Sequence, residues 1–177
     1  MENFENLSYT LDNLFSQIDV ENITADSNSR FSTLPDGYYL CELTKAELKE
    51  TKTNKPMYSL QLKVYEDGHQ HVVNDGNAEF TTIPNTKGRM IFKNYVITKK
   101  EDLEGFISDM LKFEMDGTPM LEKSYFTSTS GTLDALDVIL DSTIYVLLQS
   151  YTNRKGEDAQ STNFVKWSVA SELGLPV

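Results

Sequence analysis

Strand-like alternation constrains the fold of this chain more than any other feature. In residues 57–65, MYSLQLKVY, the side chains of Tyr58, Leu60, Leu62 and Val64 fall on one side and the more polar ones on the other. Such a period of two is typical of a β-strand with one buried face. The same pattern predicts four further strands, at residues 37–46, 88–98, 142–151 and 161–170.

The predicted strands differ in how clearly they define a buried face. The first strand groups Tyr39, Cys41 and Leu43 on one side. In the third strand Met90, Phe92 and Val96 share a side, and Phe92 is assigned to the core because of its size and apolar character. Trp167 is assigned to the core on the last strand for the same reason.

Between the third and fourth strands the apolar period changes to about 3.6 residues, which is typical of an amphipathic helix. It predicts a helix in residues 99–114 and a second, short one over 133–140. Residues 66–87 show no regular pattern and are predicted to be an irregular insert. Five strands with a helix between the third and fourth match the OB-fold, a small Greek-key barrel. We therefore predict a mainly β fold, a five-stranded OB-like barrel with that helix placement.

The first 33 residues differ in composition from the rest, since they are rich in Asn, Ser, Asp and Glu. They contain apolar residues at near-helical spacing, namely Leu7, Leu11, Leu14, Phe15 and Ile18. The sequence LPDG at residues 34–37 is a turn signal and marks the start of the folded domain. We therefore divide the chain into an acidic, partly disordered N-terminal extension, residues 1–33, and an OB-like domain, residues 34–177.

The net charge is −11, from 16 Lys and Arg against 27 Asp and Glu, which at first argues against nucleic-acid binding. The charges fall in blocks, however. Residues 1–29 hold six acids and no Lys or Arg, and residues 101–141 hold ten acids against two Lys. Residues 45–63 hold five Lys against two Glu, and residues 87–100 hold five basic residues and no acid. The blocks, rather than the total, need an explanation.

The basic blocks fall where an OB-fold binds oligonucleotides, on strands 2 and 3 and in the loops after strands 1 and 4. Lys and Arg contact phosphates there, while aromatic rings stack on bases. A solvated face explains any single lysine equally well, and packing explains the aromatic residues as well as stacking does. The predicted nucleic-acid-binding residues are Lys49, Lys52, Lys55, Lys63, Tyr65, Arg89, Lys93, Tyr95, Tyr151, Arg154, Lys155, Phe164 and Lys166.

Four short motifs along residues 34–170 resemble a family of bacteriophage proteins encoded in recombination and replication modules. They are LPxGY from Leu34, TKxxKPM from Thr51, GRxIFxNYV from Gly88 and VKW from Val165. The resemblance implies an OB-like fold and sequence-tolerant binding of single-stranded DNA. It also implies a phage recombinase or replication protein as a partner, and DNA-binding roles for Lys52, Lys55, Arg89 and Lys166.

Residues typical of an enzyme or metal site are sparse. The sequence has no phosphate-binding loop, nucleophile elbow or calcium loop. His69 and His71 lie in a polar segment without cysteine partners, which is more typical of a solvated loop than of a metal site. Cys41 alternates with apolar neighbours and is predicted to be a small buried hydrophobe. We therefore expect no catalysis, no cofactor and no metal.

The cellular setting is predicted from what the sequence lacks. It has no apolar run of about 18 residues for a membrane span, and its first residues contain no apolar signal segment. A single cysteine forms no internal disulfide, which suits a reducing compartment. We expect a cytoplasmic protein, in the bacterial host if the chain is phage-encoded, that does not bind membranes.

Two alternatives to single-strand binding stay open at this point. The first is a phage-encoded inhibitor or adaptor whose acidic surface mimics DNA and binds a host enzyme, for which −11 is a suitable charge. The second is a structural domain without a ligand. Oligomerisation, the preference for DNA or RNA, and a regulatory role of residues 1–33 are also left open by the sequence.

Overall fold

A computed structural model describes residues 11–12, 15–16 and 34–176. The chain divides into two units, residues 1–33 and 34–177. In the first unit the described residues, 11–12 and 15–16, are helical. The other positions of the predicted amphipathic helix lie outside the described residues. None of the helices in the described part of the chain is long and apolar enough to cross a membrane.

The second unit is mainly β. Its strands are β1 (Gly37–Glu50), β2 (Pro56–Val64), β3 (Gly68–Asn74), β4 (Asn77–Ile83), β5 (Met90–Val96), β6 (Glu114–Met115), β7 (Thr118–Pro119), β8 (Thr143–Thr152) and β9 (Asp158–Val165). Its helices are α1 (Lys100–Met110), α2 (Thr129–Ile139) and α3 (Trp167–Leu173), and a 3₁₀ helix spans Lys123–Thr127. Strands β6 and β7 form a separate small hairpin.

The other seven strands form one antiparallel sheet with β1 at its centre. The order β4-β3-β1-β2-β5 runs to one side, and β8 and β9 continue from the other side of β1. Among the strands that the structure describes, no backbone pairing joins β5 to β9, and the sheet is not closed into a barrel. The predicted mainly β class is confirmed, whereas the closed five-stranded barrel is not observed.

One face of the sheet, the inner face, is covered by helices. The Tyr58 ring of β2 stacks on Phe106 of α1, with centroids 4.1 Å apart and planes 5° from parallel. Helix α2 adds Ala135, Leu136 and Ile139 to the same core. The predicted buried faces of the first two strands are confirmed: Tyr39, Cys41 and Leu43 of β1 and Tyr58, Leu60, Leu62 and Val64 of β2 are all buried.

A smaller apolar cluster lies on the opposite, outer side of β1 and β8. Helix α3 and the residues after it cover this side, with Ala170 and Leu175 packed on Tyr145 and Val165. The predicted strand over residues 161–170 is therefore wrong in its second half, since β9 ends at Val165 and α3 begins at Trp167. Trp167 is half-buried rather than in the core. A short apolar run fits a period of two or of 3.6, so alternation alone does not separate strand from helix here.

The predicted irregular insert at residues 66–87 is also wrong, because β3 and β4 form a hairpin. Asn74 pairs with Asn77, so Asp75 and Gly76 make a two-residue turn, with φ angles of 50° and 80°. Two positive φ values in a two-residue loop are typical of a type I′ turn, for which Asp-Gly is a preferred sequence. That dipeptide was the available signal for the hairpin.

A pair of glycine substitutions tests the packing of the core. In Gly68→Ala, the new methyl carbon lies 2.3 Å from the buried Tyr39 ring. We expect the free energy of unfolding to fall by about 1–3 kcal/mol, the usual cost of overpacking. Gly105 of α1 has open space around it, so Gly105→Ala is expected to raise the same quantity by about 0.5–1 kcal/mol. Urea unfolding measures both; equal stability of the two variants contradicts close packing of Gly68 against Tyr39.

Candidate nucleic-acid interface

On the side opposite the helix-covered inner face, β1, β2 and β5 carry side chains that are exposed or half-buried. On β2 and β5 four cross-strand pairs share this face: Met57–Val96, Ser59–Asn94, Gln61–Phe92 and Lys63–Met90. On β1 the residues paired with β2 on the same face are Glu42, Lys45, Glu47 and Lys49. We call these twelve residues the outer face.

The outer face joins positive charge to exposed rings. Lys63 and Tyr65 are exposed at one end of it, with 52% of Tyr65 accessible. Lys49, Lys52 and Lys55 are exposed at the other end, in and beside the turn between β1 and β2. The structure therefore brings five of the predicted binding residues to one face and its adjoining turn.

The positive charges of two lysines on this face, Lys45 and Lys49, are partly neutralised by the carboxylate of Glu47. The Glu47 oxygen lies 2.8 Å from the Lys49 ammonium and 3.6 Å from that of Lys45. The hydrogen bond from Lys49 is the main cause that lowers the pKa of the Glu47 carboxyl. At the centre of the face Ser59 donates a hydrogen bond to the Asn94 amide oxygen, 2.8 Å away.

The predicted faces of the third strand are reversed in β5. Phe92, which was assigned to the core, is 61% exposed on the outer face, and Met90 and Val96 lie beside it. Arg89, Lys93 and Tyr95 were predicted to be exposed, but Lys93 and Tyr95 point to the inner side with the buried Ile91. Hydrophobicity favoured the wrong face because an inward lysine requires partners from distant strands, which the local pattern does not reveal.

Lys93 bridges the unpaired edges of β5 and β9. Its ammonium donates a hydrogen bond to the Thr162 carbonyl of β9, lies 3.9 Å from the Asp109 carboxylate, and faces the rings of Tyr95 and Phe164 at 5.3 and 5.7 Å from their centroids. Burial lowers the pKa of Lys93, and Asp109 opposes that shift. Lys93 thus occupies the seam where a closed barrel would have a strand ladder.

Asp109 holds the rest of this seam together. It accepts a hydrogen bond of 2.7 Å from the Tyr95 hydroxyl and one of 2.9 Å from the Lys112 ammonium. Burial, reinforced by the Asp109 charge, raises the pKa of Tyr95 far above its usual range. Both residues predicted for binding on the inner side of β5, Lys93 and Tyr95, therefore have structural partners.

Three further predicted residues are placed apart from the outer face. Phe164 was predicted to be available for stacking, but it is 4% exposed and packs edge-on against Phe113, with centroids 5.4 Å apart. Arg89 is half-buried and close enough to Tyr39 to oppose the effect of burial, which raises the pKa of that phenol to about 12. Lys166 is exposed at the N-cap of α3.

Tyr151, Arg154 and Lys155 are exposed at the tip of the β8–β9 hairpin. Strand β8 runs antiparallel to β1, and Leu148 pairs with Gly37. The hairpin tip therefore lies beyond the first residue of β1, while Lys52 and Lys55 lie beyond the last. The two predicted loop clusters are at opposite ends of β1.

Two clefts are lined in part by outward residues of β1. The terminal cleft, of about 620 Å³, lies where β2 gives way to β3 and is lined by Glu42, Lys63, Tyr65, Glu66, Lys87 and Gly88. The second, of about 350 Å³, is lined by residues that include Leu40, Met115, Asp141, Tyr145 and Trp167. Leu40 and Glu42, which line the second and the terminal cleft respectively, are successive outward residues of β1.

The described cysteine and one of the two histidines have structural surroundings. Cys41 is fully buried, as predicted, and burial raises the pKa of its thiol to about 12. His71 of β3 contacts the Phe80 ring of β4, with centroids 5.1 Å apart. Within residues 11–12, 15–16 and 34–176, no group of three or more His, Cys, Asp or Glu side chains is arranged to hold a metal ion.

No protein-family model and no curated protein matches this chain.

The contacts of Lys93 between β5 and β9 predict that Lys93 contributes more to the free energy of unfolding than Lys63 does. Lys93→Met keeps the aliphatic stem but removes a charged hydrogen bond at a site where only 18% of the side chain is exposed, so the free energy of unfolding should fall by about 1.5–3 kcal/mol. Lys63→Met, on the open outer face, is the matched control and should change it by less than about 0.5 kcal/mol. Equal unfolding midpoints in urea would show that Lys93 does not join β5 to β9.

The burial and the raised pKa of the Cys41 thiol predict that it reacts slowly in the folded protein. At a pH near 8 a thiol with a pKa of about 12 is almost entirely protonated, and the thiolate is the reactive form. We expect almost no reaction with a disulfide reagent such as DTNB in buffer and one equivalent of reaction in urea. Rapid labelling of the folded protein would contradict the burial of Cys41.

Proposed function

We propose that this protein binds single-stranded DNA on the outer face of β1, β2 and β5 and on the adjoining β1–β2 turn. The proposal extends to binding without strong sequence preference, in which lysines neutralise phosphates and exposed rings stack on bases. The observation that carries it is the separation of charge between the two sides of one sheet.

That separation follows from the alternation of β2. Its inward residues pack against α1 and α2, and these helices carry exposed acids, namely Glu101, Glu104, Asp134 and Asp137. Its outward residues include Lys63, which pairs with Glu42 of β1. Lys45 and Lys49 lie further along the same face of β1, across from Gln61 and Met57. A DNA strand on the outer face is therefore kept away from the acidic helices by the thickness of the sheet. The net charge of −11 does not describe the field that such a strand meets.

Phe92 supplies an aromatic ring on which a base is able to stack, which the lysines do not provide. Its ring is 61% exposed and stands directly across from Gln61, with Lys63 one pair further along β2. With the exposed Met90 and Val96 on the same face, Phe92 forms a contiguous apolar patch, which is typical of a binding surface. A base stacked on this ring places its phosphates near the lysines of β1 and β2.

The order of the strands in the sheet supports an OB-like interpretation. The chain passes through β1, β2 and β5 as a meander and returns through β8 and β9, with α1 and α2 between β5 and β8. We propose an OB-like fold whose last ladder is replaced by the Lys93 bridge and whose β3–β4 hairpin is an added element. The motif resemblance to phage recombination and replication proteins adds a setting: binding of displaced or resected strands, beside a phage recombinase or replication protein.

The first experiment compares two charge reversals by fluorescence anisotropy. A labelled single-stranded oligonucleotide is titrated at low salt with wild type, Lys63→Glu and Lys123→Glu. Lys123 is the matched control, because it is exposed among the acidic helices. We expect Lys63→Glu to weaken binding by about tenfold and to lower the salt slope by about one, and Lys123→Glu to change little. Equal effects of the two variants contradict an outer-face site.

The second experiment separates stacking from packing at Phe92. Phe92→Tyr keeps an aromatic ring on the outer face, whereas Phe92→Leu keeps apolar area without a π-face. Since stacking of one base is worth about 1–3 kcal/mol, we expect Phe92→Leu to lose about fivefold or more in affinity and Phe92→Tyr to retain it. If both variants bind as wild type does, Phe92 is not a stacking platform.

One observation favours the DNA-mimic alternative, namely the exposed acids on α1 and α2. On that account the helices are the working surface and the outer face is uninvolved. The same titration separates the two functions. Failure of wild type to bind single strands at low salt would remove the DNA-binding proposal and leave the acidic helices as the better candidate surface.

A further inference from the structure

The terminal cleft differs from the rest of the outer face in its chemistry. It combines an exposed ring, Tyr65, with two ammonium groups, Lys63 and Lys87, and two carboxylates, Glu42 and Glu66. Its volume, about 620 Å³, lies in the range of small-molecule sites. The carboxylates would weaken a site that bound only phosphates, because like charges repel.

Hydrogen bonds fix both walls of the cleft. On the β2 side the Tyr65 N–H donates to the Leu40 carbonyl and the Gly88 N–H to the Val64 carbonyl, each at 2.8 Å. On the other side the Asp67 carboxylate accepts from the backbone N–H groups of Thr86 and Lys87, at 3.0 and 2.9 Å. Walls held in this way are preorganised, which lowers the entropic cost of binding.

Gly88 leaves the lip of the cleft open. Its φ is +85°, in the left-handed region, and apart from its chain neighbours no atom of the described residues lies within 4 Å of the place where a Cβ would be. The Gly88 lip therefore presents backbone without a side chain, which allows a ligand to approach closely.

Opposite charges are neighbours in the cleft, since Glu42 of β1 is the cross-strand partner of Lys63 of β2. In the described part of the chain, no ion pair within 4.0 Å joins Lys63 or Lys87 to Glu42 or Glu66. Internal salt bridges therefore do not explain why both signs of charge are present. A ligand with an anionic part and a hydrogen-bond-donating part does explain it.

We propose that the terminal cleft holds one nucleotide of the bound strand and selects a base with an amino group, cytosine, over thymine. This inference rests on the proposed function and adds a preference at one position of an otherwise sequence-tolerant site. The Tyr65 ring stacks on the base, and the two lysines contact the neighbouring phosphates. A Glu42 or Glu66 carboxylate accepts a hydrogen bond from the amino group.

The selectivity follows from what a carboxylate is able to do. An ionised carboxylate only accepts hydrogen bonds. Cytosine presents an amino donor at C4, whereas thymine presents a carbonyl oxygen at that position. Thymine in the same pose places two acceptors against each other, so the cleft discriminates between two pyrimidines of similar size and similar stacking area.

The experiment measures affinities for oligo-dC and oligo-dT, each of about 20 nucleotides, by anisotropy at one salt concentration and near-neutral pH. Wild type is expected to bind oligo-dC at least about fivefold more tightly than oligo-dT. In the double variant Glu42→Gln/Glu66→Gln this ratio should fall towards one, since an amide both donates and accepts.

Glu47→Gln is the matched control. Glu47 lies on the same face of the same strand but outside the cleft, so its change to Gln should strengthen binding of both oligonucleotides and leave their ratio unchanged. Far-UV circular dichroism checks that each variant is folded.

The outcomes separate this inference from the proposed function. Equal affinity of wild type for the two oligonucleotides, or a ratio that the double variant leaves unchanged, overturns the base preference while single-strand binding stands. Failure to bind either oligonucleotide removes the proposed function and the cleft's role with it.

Discussion

The stack of Tyr58 on Phe106, with ring centroids 4.1 Å apart, is the contact on which the arrangement of this domain depends. It seats α1 on the inner face of β2 and so decides which side of the sheet becomes core. Because successive side chains of a strand point to opposite faces, burying Tyr58, Leu60 and Leu62 turns Lys63 outward. The separation of charge between the two sides of the sheet is a consequence of this packing contact.

The second constraint is the seam between β5 and β9. A strand edge exposes N–H and C=O groups that invite pairing with other chains, and closure into a barrel is one way to remove edges. Here Lys93 spans the seam instead, held by the Thr162 carbonyl and the Asp109 carboxylate. An inward lysine on β5 also sets the register of that strand, which places Phe92 on the outer face.

Much of the sheet follows from the sequence because its signal is local. The alternation in β1 and β2 predicted their buried faces, and turn and period changes indicated where the helices lie. The errors occur where the deciding partner is distant in the chain. Lys93 faces inward because of Thr162 and Asp109, and Trp167 starts a helix because Ala170 and Leu175 pack on Tyr145.

The residues of the candidate site also divide into those that local sequence predicts and those that distant contacts determine. The sequence predicted the exposed positions of Lys49, Lys52, Lys55, Lys63 and Tyr65, since the strands they belong to or flank have a clear polar side. Phe92 was missed because an exposed phenylalanine contradicts the usual burial preference, and the carboxylates of the terminal cleft were missed because only the fold brings Glu42 and Glu66 together. A site that departs from local expectation in this way is where function is commonly found.

The most direct test of the account is a map of the bound strand on the protein. Amide chemical shifts of ¹⁵N-labelled protein are followed as an unlabelled single-stranded oligonucleotide is added at low salt. The charge separation predicts the largest changes in the β1–β2 turn, at Lys63–Glu66 and along β5, with little change at the exposed acids of α1 and α2. Changes centred on those helices, with the outer face unaffected, would contradict the account.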